Sequence, residues 1–159
     1  MAVRVIRYVF CVGVCLLAGW VSGYVSGSGS DGWYGSLDKP WFTPPGWVFG
    51  VVWPILYAMM GIAAAMVWER GFRLPTVRLA LAAFGVQLLL NLIWSPIFFG
   101  MHRIGLALVD IFLLWIAIAV CAAMFWKVRP VAAVLMLPYL AWVSFAVVLN
   151  FTFWKGGIL

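Results

Sequence analysis

Five apolar runs, each about 20 residues long, constrain the fold of this chain more than any other feature. They cover residues 5–25, 47–68, 79–98, 105–126 and 131–151. A helix of about 20 apolar residues spans the hydrocarbon core of a bilayer. Charged residues make up 9% of the chain, against roughly 25% in soluble domains. We therefore predict an all-α integral membrane protein, a bundle of five transmembrane helices that forms a single domain over residues 1–159.

The first run has a second interpretation, as a secretory signal peptide, because it follows the basic residues Arg4 and Arg7. Its apolar stretch is long for a signal peptide, and no small-x-small cleavage site follows it closely. We therefore expect the first run to be a retained transmembrane helix.

Lysine and arginine residues near the ends of the runs predict the orientation of the chain, because cytoplasmic loops carry an excess of them. Seven gather at one end (Arg4, Arg7, Arg70, Arg73, Arg78, Lys127 and Arg129) and three at the other (Lys39, Arg103 and Lys155). We expect a cytoplasmic N-terminus, with the loop at residues 26–44 on the opposite side. This bias favours a bacterial inner membrane, with membrane lipid as the surrounding partner. The charges are too dispersed to bind nucleic acid.

Polar side chains at membrane depth are the second informative feature, because they are costly in lipid and usually face the protein interior. Gln87, Asn91 and Ser95 share one helix face at a spacing of four residues, and Trp94 lies beside them. Two more faces combine aromatic and small or polar residues at helical spacing: Trp53 and Tyr57 in the second run, and Tyr139, Trp142, Ala146 and Asn150 in the fifth.

These faces allow two interpretations. The amides can simply join helices, since hydrogen bonds between spans contribute about 0.6–2 kcal/mol each. Alternatively, the three faces converge on a cavity lined by aromatic rings and a few amides. Such a lining suits a large, flat, mostly apolar ligand. The coincidence of three similar faces favours the cavity.

The remaining reactive side chains predict neither a catalytic centre nor a metal site. Asp110 is the only acid inside a run, and we expect it to pair with Arg103 or His102, or to cap a helix, rather than to relay protons. His102 is the only histidine, and a lone loop histidine is more often solvated than a heme ligand. The three cysteines lie in apolar runs without metal-binding spacing, which is typical of small apolar residues.

Glycine spacing and proline content describe the connection between the first two runs. Gly19-x-x-x-Gly23-x-x-x-Gly27 and Gly46-x-x-x-Gly50 match the pattern of closely packed membrane helices. The segment WYGSLDKPWFTPP at residues 33–45 is rich in aromatic rings and in prolines, which fix the backbone angle φ. We therefore expect tight helix packing and a stiff connection.

Three longer motifs resemble one known family. WYGSLDKPWFTPPGWVFGVVW is similar to its first loop and second helix, NLIWSPIFFG to the end of its third helix, and LPYLAWVSFAVVLNFTFWK to its fifth helix. The family is the TspO family, also called the translocator protein, tryptophan-rich sensory protein or peripheral-type benzodiazepine receptor family. The match extends over almost the whole chain from Trp33 onward.

The resemblance implies a five-helix bundle, often a homodimer, that acts as a membrane receptor or translocator. Its implied ligands are porphyrins (protoporphyrin IX or heme), sterols and synthetic benzodiazepine-type compounds, and no cofactor is obligatory. Light- and oxygen-dependent porphyrin degradation in the same pocket is the alternative function, although no catalytic residue is assigned.

The resemblance also implies a ligand pocket among the helices, with the proline-rich segment as a stiff lid above it. The pocket residues carried over are Tyr34, Pro44, Trp53, Asn91, Trp142, Ala146 and Asn150, with Gln87 where the family often has an amide. Tyr57, Trp94 and Tyr139 join them from the polar and aromatic faces.

One departure from the family concerns sterols. Sterol-binding members carry a Leu/Val…Tyr…Lys/Arg pattern late in the fifth helix. Here VLNFTFWK has no tyrosine between Val148 and Lys155. The pattern is weak even when intact, and its incompleteness argues against high-affinity sterol binding without affecting porphyrin binding.

Overall fold

A computed structural model describes residues 2–27 and 32–156. Its helices are α1 (Ala2–Val25), α2 (Trp33–Ser36), α3 (Gly46–Trp68), α4 (Pro75–Ser95), α5 (Ile104–Val128) and α6 (Pro130–Gly156), and a π-helical turn (Pro96–Gly100) continues α4. Five of these segments are long and apolar enough to cross a membrane, and α2 is a short helix between the first two. The predicted bundle of five transmembrane helices is confirmed.

The spans begin and end close to the predicted residues, with two larger differences. α4 begins at Pro75 rather than near residue 79, because proline is well suited to the first helical turn, where no amide hydrogen bond is lost. α6 continues to Gly156 rather than ending near residue 151. Its last turns remain helical because Phe153 stays buried in a cluster with Phe98.

Each long helix is apolar around most of its circumference. α1 packs along α3, α5 packs against both α4 and α6, and α3 closes the bundle against α6. The core between them contains side chains such as Met60, Ile118 and Met136, none of which is exposed. Large apolar side chains also point outward, among them Leu89 and Phe112. Helices that are hydrophobic all round suit a bilayer environment.

One end of the bundle is held by a charged cluster around Glu69, the residue that follows α3. Its Oε1 lies 2.6 Å from Arg4 Nε, and its Oε2 lies 3.0 Å from Arg129 Nη1. The hydroxyl of Tyr8 donates a hydrogen bond to the same Oε2 at 3.2 Å. These contacts connect α1, the end of α3 and the junction between α5 and α6, at the end that we predict to be cytoplasmic.

α1 and α3 pack along a line of contact that we call the seam, and they approach each other closely at this end of it. A Cβ atom added at Gly61 would lie 2.5 Å from the Cα of Val12, so only glycine lets the two backbones touch. A Cβ at Gly19 would overlap the ring of Tyr57. Gly19 therefore packs helices within the chain, as the glycine pattern predicts.

Residues 32–45, which we call the lid, fold over the other end of the bundle. The ring of Trp33 stacks on His102 with ring centroids 4.1 Å apart. Tyr34 packs edge-on against Phe99 at 5.4 Å and against Phe153 at 5.8 Å. The lid is thus attached through aromatic contacts to the π-helical turn, the loop after it and the end of α6.

Candidate functional site

A cavity of about 530 Å³ lies beneath the lid, between α1, α3, α4 and α6. Small-molecule sites in proteins have volumes of roughly 300–1,000 Å³ and mostly apolar walls with a few polar groups. Aromatic rings from α3, α4, α6 and the lid form much of this wall, and the amides of Asn91 and Asn150 are among its polar groups. The cavity therefore has the size and chemistry of a ligand site.

Most of the residues predicted for the pocket line this cavity. They are Tyr34, Trp53, Tyr57, Asn91, Trp94, Trp142, Ala146 and Asn150. The other three lie outside the wall. Tyr139 is fully buried behind Asn91, Gln87 lies one turn deeper with its Nε2 4.0 Å from the sulfur of Met60, and Pro44 is a half-buried lid residue. The predicted faces do converge, but Gln87 lies outside the wall, and its buried Oε1 has no hydrogen-bond partner in the described residues.

The floor of the cavity is a hydrogen-bonded set of three side chains. The Tyr57 hydroxyl donates to Asn91 Oδ1 at 2.5 Å, and Asn91 Nδ2 donates to the Tyr139 hydroxyl at 2.9 Å. These bonds join α3, α4 and α6 at one point. Asn91 therefore fits both interpretations of the buried amides, because it joins helices and also lines the cavity.

A second amide fixes the upper wall. The indole N–H of Trp94 donates to Asn150 Oδ1 at 3.1 Å, and Asn150 Nδ2 donates to the carbonyl of Ile104 at 3.1 Å. The Trp94 ring also stacks on Phe98, with centroids 5.2 Å apart and planes 22° from parallel. Because both ends of the amide are bonded, the ring of Trp94 is held in one orientation against the cavity.

Trp53 and Trp142 extend the aromatic surface. The ring of Trp53 lies 5.6 Å from that of Tyr57, and Trp142 packs edge-on against Phe49 at 5.7 Å. The indole Nε1 of Trp142 is buried and has no hydrogen-bond acceptor within residues 2–27 and 32–156. A buried donor without a partner costs about 1–3 kcal/mol, so an acceptor supplied by a ligand or a water molecule here would be stabilising.

The π-helical turn brings further rings to the wall. Pro96 has no amide hydrogen, which leaves the carbonyl of Leu92 without its helical partner, and the hydroxyl of Ser22 on α1 donates to that carbonyl at 2.9 Å. The wider turn that follows allows two consecutive residues, Phe98 and Phe99, to reach the cavity together.

Tyr34 is the lid residue that lines the cavity. The ammonium group of Lys39 lies 4.5 Å from the centre of its ring, within the range of a cation–π contact. Burial raises the pKa of the Tyr34 hydroxyl above its ordinary value of about 10. The lid therefore carries a neutral, half-buried phenol over the cavity at neutral pH.

Several wall residues were not predicted from the sequence. They are Leu16, Gly19, Trp20, Ser22 and Gly23 of α1, Gly46, Phe49, Gly50 and Pro54 of α3, and Phe98, Phe99, Leu149 and Phe153 from the other elements. Ser95, which belongs to the predicted face of α4, also lines the cavity. In a helix that is apolar all round, apolar spacing does not reveal the inner face. Glycine spacing was the available signal, and it predicted packing rather than a cavity.

The expectation for Asp110 is wrong in part. Asp110 is only 7% exposed, and its Oδ2 has no hydrogen-bond partner in the described part of the chain. No ion pair joins it to Arg103 or His102 among those residues. His102 is exposed and stacks on Trp33 instead. Within the same residues, no group of three His, Cys, Asp or Glu side chains could hold a metal ion.

The fold and the cavity together define a class: a multi-pass helical membrane protein with an aromatic, ligand-sized cavity within its bundle. A sequence profile of the TspO/MBR family matches residues 11–155, and the chain belongs to this family.

Curated relatives agree with this assignment. The chain is 42% identical over 149 residues to the tryptophan-rich protein TspO of Chlorobaculum tepidum, which covers 94% of each chain. It is 43% identical over 138 residues to the human translocator protein, covering 86% of this chain and 80% of that one. It is 40% identical over 121 residues to the tryptophan-rich sensory protein of Cereibacter sphaeroides, covering 76% of this chain and 74% of that one.

Proposed function

We propose that this chain is a membrane receptor or translocator that binds porphyrins, protoporphyrin IX or heme, in the cavity beneath the lid. The observation that carries the proposal is the wall itself: a space of about 530 Å³ surrounded by aromatic rings and a few fixed amides. The name of the human relative, translocator protein, agrees with a transport role.

Three physical features support a flat, conjugated ligand. Trp53, Trp94 and Trp142 offer broad surfaces for stacking, and aromatic pairs contribute about 0.5–1.5 kcal/mol beyond burial of area. Their orientations are restricted by neighbouring rings and, for Trp94, by Asn150. A wall that is ordered before the ligand arrives loses less conformational entropy on binding.

The test is a titration of the purified protein with protoporphyrin IX in the dark, followed by the absorbance of the porphyrin. Trp142→Ala removes a wall ring, and we expect it to weaken binding about tenfold, which corresponds to about 1.4 kcal/mol. Trp126→Ala is the matched control, because Trp126 is 58% exposed and lies outside the cavity wall. Asn91→Ala should weaken binding as well, since Asn91 lines the cavity floor.

Saturable binding that is weakened in Trp142→Ala and unchanged in Trp126→Ala would support the proposal. Non-saturable uptake, equal in all variants, would mean that the porphyrin merely partitions into the detergent, and the porphyrin proposal would then be abandoned.

The alternative function is light- and oxygen-dependent degradation of the bound porphyrin. It is favoured by the position of Trp53 and Trp142, whose oxidisable indoles both lie on the wall. Repeating the titration under illumination separates the two functions. Products that require light, protein and intact tryptophans indicate degradation, whereas unchanged porphyrin indicates binding alone.

We further propose that the N-terminus is cytoplasmic, in a bacterial inner membrane, and that the protein forms homodimers. The orientation rests on the basic residues around Glu69, and the dimer rests on the family resemblance. Labelling of Ser36→Cys in a cysteine-free background from the outside of intact spheroplasts tests the orientation, and failure to label would reverse it. A monomeric mass in native mass spectrometry from lipid nanodiscs would contradict the dimer.

A further inference from the structure

The cavity wall is unequally buried on its two sides. Asn91 on α4 and Leu149, Asn150 and Phe153 on α6 are each 5% exposed or less. The exposed wall residues all belong to α1 and α3, although Ser22 and Tyr57 of these helices are buried. Trp20 is 66% exposed, and Gly46, Gly50 and Pro54 are exposed as well. A residue that lines a cavity and is also exposed marks a place where the cavity reaches the outer surface.

The seam between α1 and α3 explains this difference. The two helices touch at Gly61 and Val12, and Gly19 packs against the Tyr57 ring farther along. Nearer the lid, two glycines of α3 have no such close neighbour. A Cβ atom at Gly46 or at Gly50 would meet no side chain or backbone of another segment within 4 Å. The seam is therefore closed in one half and open in the half that borders the cavity.

The surface around the opening is apolar, with aliphatic side chains beside the exposed rings of Trp20 and Tyr24. Leu17 and Val21 on α1 are 60% and 44% exposed, and Val51 and Ile55 on α3 are 51% and 55% exposed. Exposed apolar side chains on spans of this length face lipid. The opening therefore faces the hydrocarbon region of the bilayer rather than water.

The opening also has an aromatic ring and a backbone carbonyl, which suit an apolar ligand with a polar group. Trp20 lines the cavity and stacks on Tyr24, with centroids 5.6 Å apart and planes 19° from parallel. Pro54 has no amide hydrogen to give to the carbonyl of Gly50, four residues earlier, and both residues line the cavity. The cavity wall thus includes both an aromatic face and a carbonyl whose usual helical donor is a proline.

The route from water is covered by rings. Tyr34 of the lid packs on Phe98, Phe99 and Phe153, and Trp33 packs on Phe98 and His102. Opening this route requires separating these aromatic contacts, whereas the opening between α1 and α3 requires no contact at Gly46 or Gly50 to be broken.

We propose that ligands reach the cavity laterally from the bilayer, through the opening between α1 and α3 at Gly46 and Gly50. The ligand class is then apolar molecules already dissolved in the membrane, and residue size at Gly50 determines which of them pass. This inference rests on the proposed function only in that a ligand must bind in the cavity. That ligand need not be a porphyrin.

The test uses a probe that needs no natural ligand. In a variant with Cys11, Cys15 and Cys121 replaced by alanine, Ala146→Cys places one thiol on the cavity wall. The protein in lipid nanodiscs is treated with a long-chain N-alkyl maleimide, which dissolves in the bilayer, or with a charged, water-soluble thiol reagent. We expect the apolar reagent to label the Ala146→Cys thiol at least about tenfold faster when Gly50 is present than when Gly50→Leu is added to the same protein. A tenfold change lies within the range of association rates among variants of one site.

Gly85→Leu is the matched control, because Gly85 is an exposed α4 glycine with open space around its Cβ position and lies outside the cavity wall. We expect it to leave the labelling rate unchanged. Gly46→Leu provides a second obstruction, and circular dichroism checks that each variant is folded. The charged reagent should label slowly in every variant.

Three results would overturn lateral access: an unchanged labelling rate in both Gly50→Leu and Gly46→Leu, charged reagent reacting as fast as the apolar one, or no labelling of the cavity thiol from the bilayer. Labelling by the charged reagent that Trp33→Ala accelerates to the rate of the apolar reagent would point to the aqueous route beneath the lid instead. A failure of protoporphyrin IX to bind, with the labelling pattern preserved, would remove the porphyrin proposal and leave the lateral route intact.

Discussion

Replacing Asn91 with alanine removes the residue that joins three helices at the cavity floor. The amide accepts from Tyr57 at 2.5 Å and donates to Tyr139 at 2.9 Å, and Tyr139 is not exposed at all. Hydrogen bonds between transmembrane helices contribute about 0.6 kcal/mol on average and up to about 1.7. Two of them, with a buried hydroxyl left unpaired, lead us to expect a loss of about 2–3 kcal/mol in the free energy of unfolding.

The same geometry predicts how this loss of stability is divided between the two hydrogen bonds of Asn91. Tyr139→Phe removes one of the two bonds and should cost about 1 kcal/mol. In the Asn91→Ala background the same change should cost nothing or be stabilising, because it removes a buried hydroxyl that is already unpaired. The coupling energy is therefore at least about 1 kcal/mol. Tyr24→Phe is the matched control: Tyr24 is 77% exposed, and we expect a change below about 0.5 kcal/mol.

The assay is equilibrium unfolding in mixed micelles with an increasing fraction of sodium dodecyl sulfate, followed by far-UV circular dichroism. An Asn91→Ala variant within about 0.5 kcal/mol of the wild type, or strictly additive effects in the double variant, would refute the hydrogen-bonded floor as a stabilising unit.

Three further predictions concern packing, charge and pH. Gly61→Leu should destabilise the protein by at least about 2 kcal/mol, because its Cβ would lie 2.5 Å from Val12, while Gly85→Leu should not; equal unfolding midpoints would contradict this. Glu69→Gln loses two ion pairs and should cost about 0.5–1.5 kcal/mol, with a smaller difference at high salt; a difference independent of salt would exclude ion pairing as the cause. Since burial raises the pKa of Tyr34, the packing of Tyr34 in the lid is fully present below about pH 10 and is lost as the pH rises through the higher pKa of the folded protein. Protease resistance of the lid should therefore stay constant up to about pH 10 and decline above it; a decline that begins at lower pH would contradict this direction.

The sequence predicted the elements and most of the chemistry of this protein. Runs of about 20 apolar residues must form helices in a bilayer, since every backbone polar group there needs an internal partner. Buried amides such as Asn91 and Asn150 stand out for the same reason, because polar groups are costly in lipid. The inward face of α4 and that of α6 could therefore be identified before any contact was known.

The tertiary structure decided where those faces meet and which residues only support them. Gln87 lies on the same helix face as Asn91, but its amide contacts the sulfur of Met60 and is not part of the cavity wall. Asp110 was expected to pair with Arg103 or His102 or to cap a helix, but its buried Oδ2 has no hydrogen-bond partner in the described residues. Sequence spacing gives the face of a helix, whereas the neighbouring helix determines what that face touches.

The glycines of α1 and α3 show most clearly that sequence spacing does not reveal what a residue contacts. Gly19, Gly46 and Gly50 share one spacing pattern in the sequence, yet Gly19 is in close contact and the other two border open space. An apolar helix carries no signal that separates a lipid-facing side from a cavity-facing one. The sequence by itself determined a five-helix membrane bundle with buried amides and aromatic rings. The open space beside Gly46 and Gly50 at the cavity wall depends on how the backbones of α1 and α3 cross, and only the folded structure shows it.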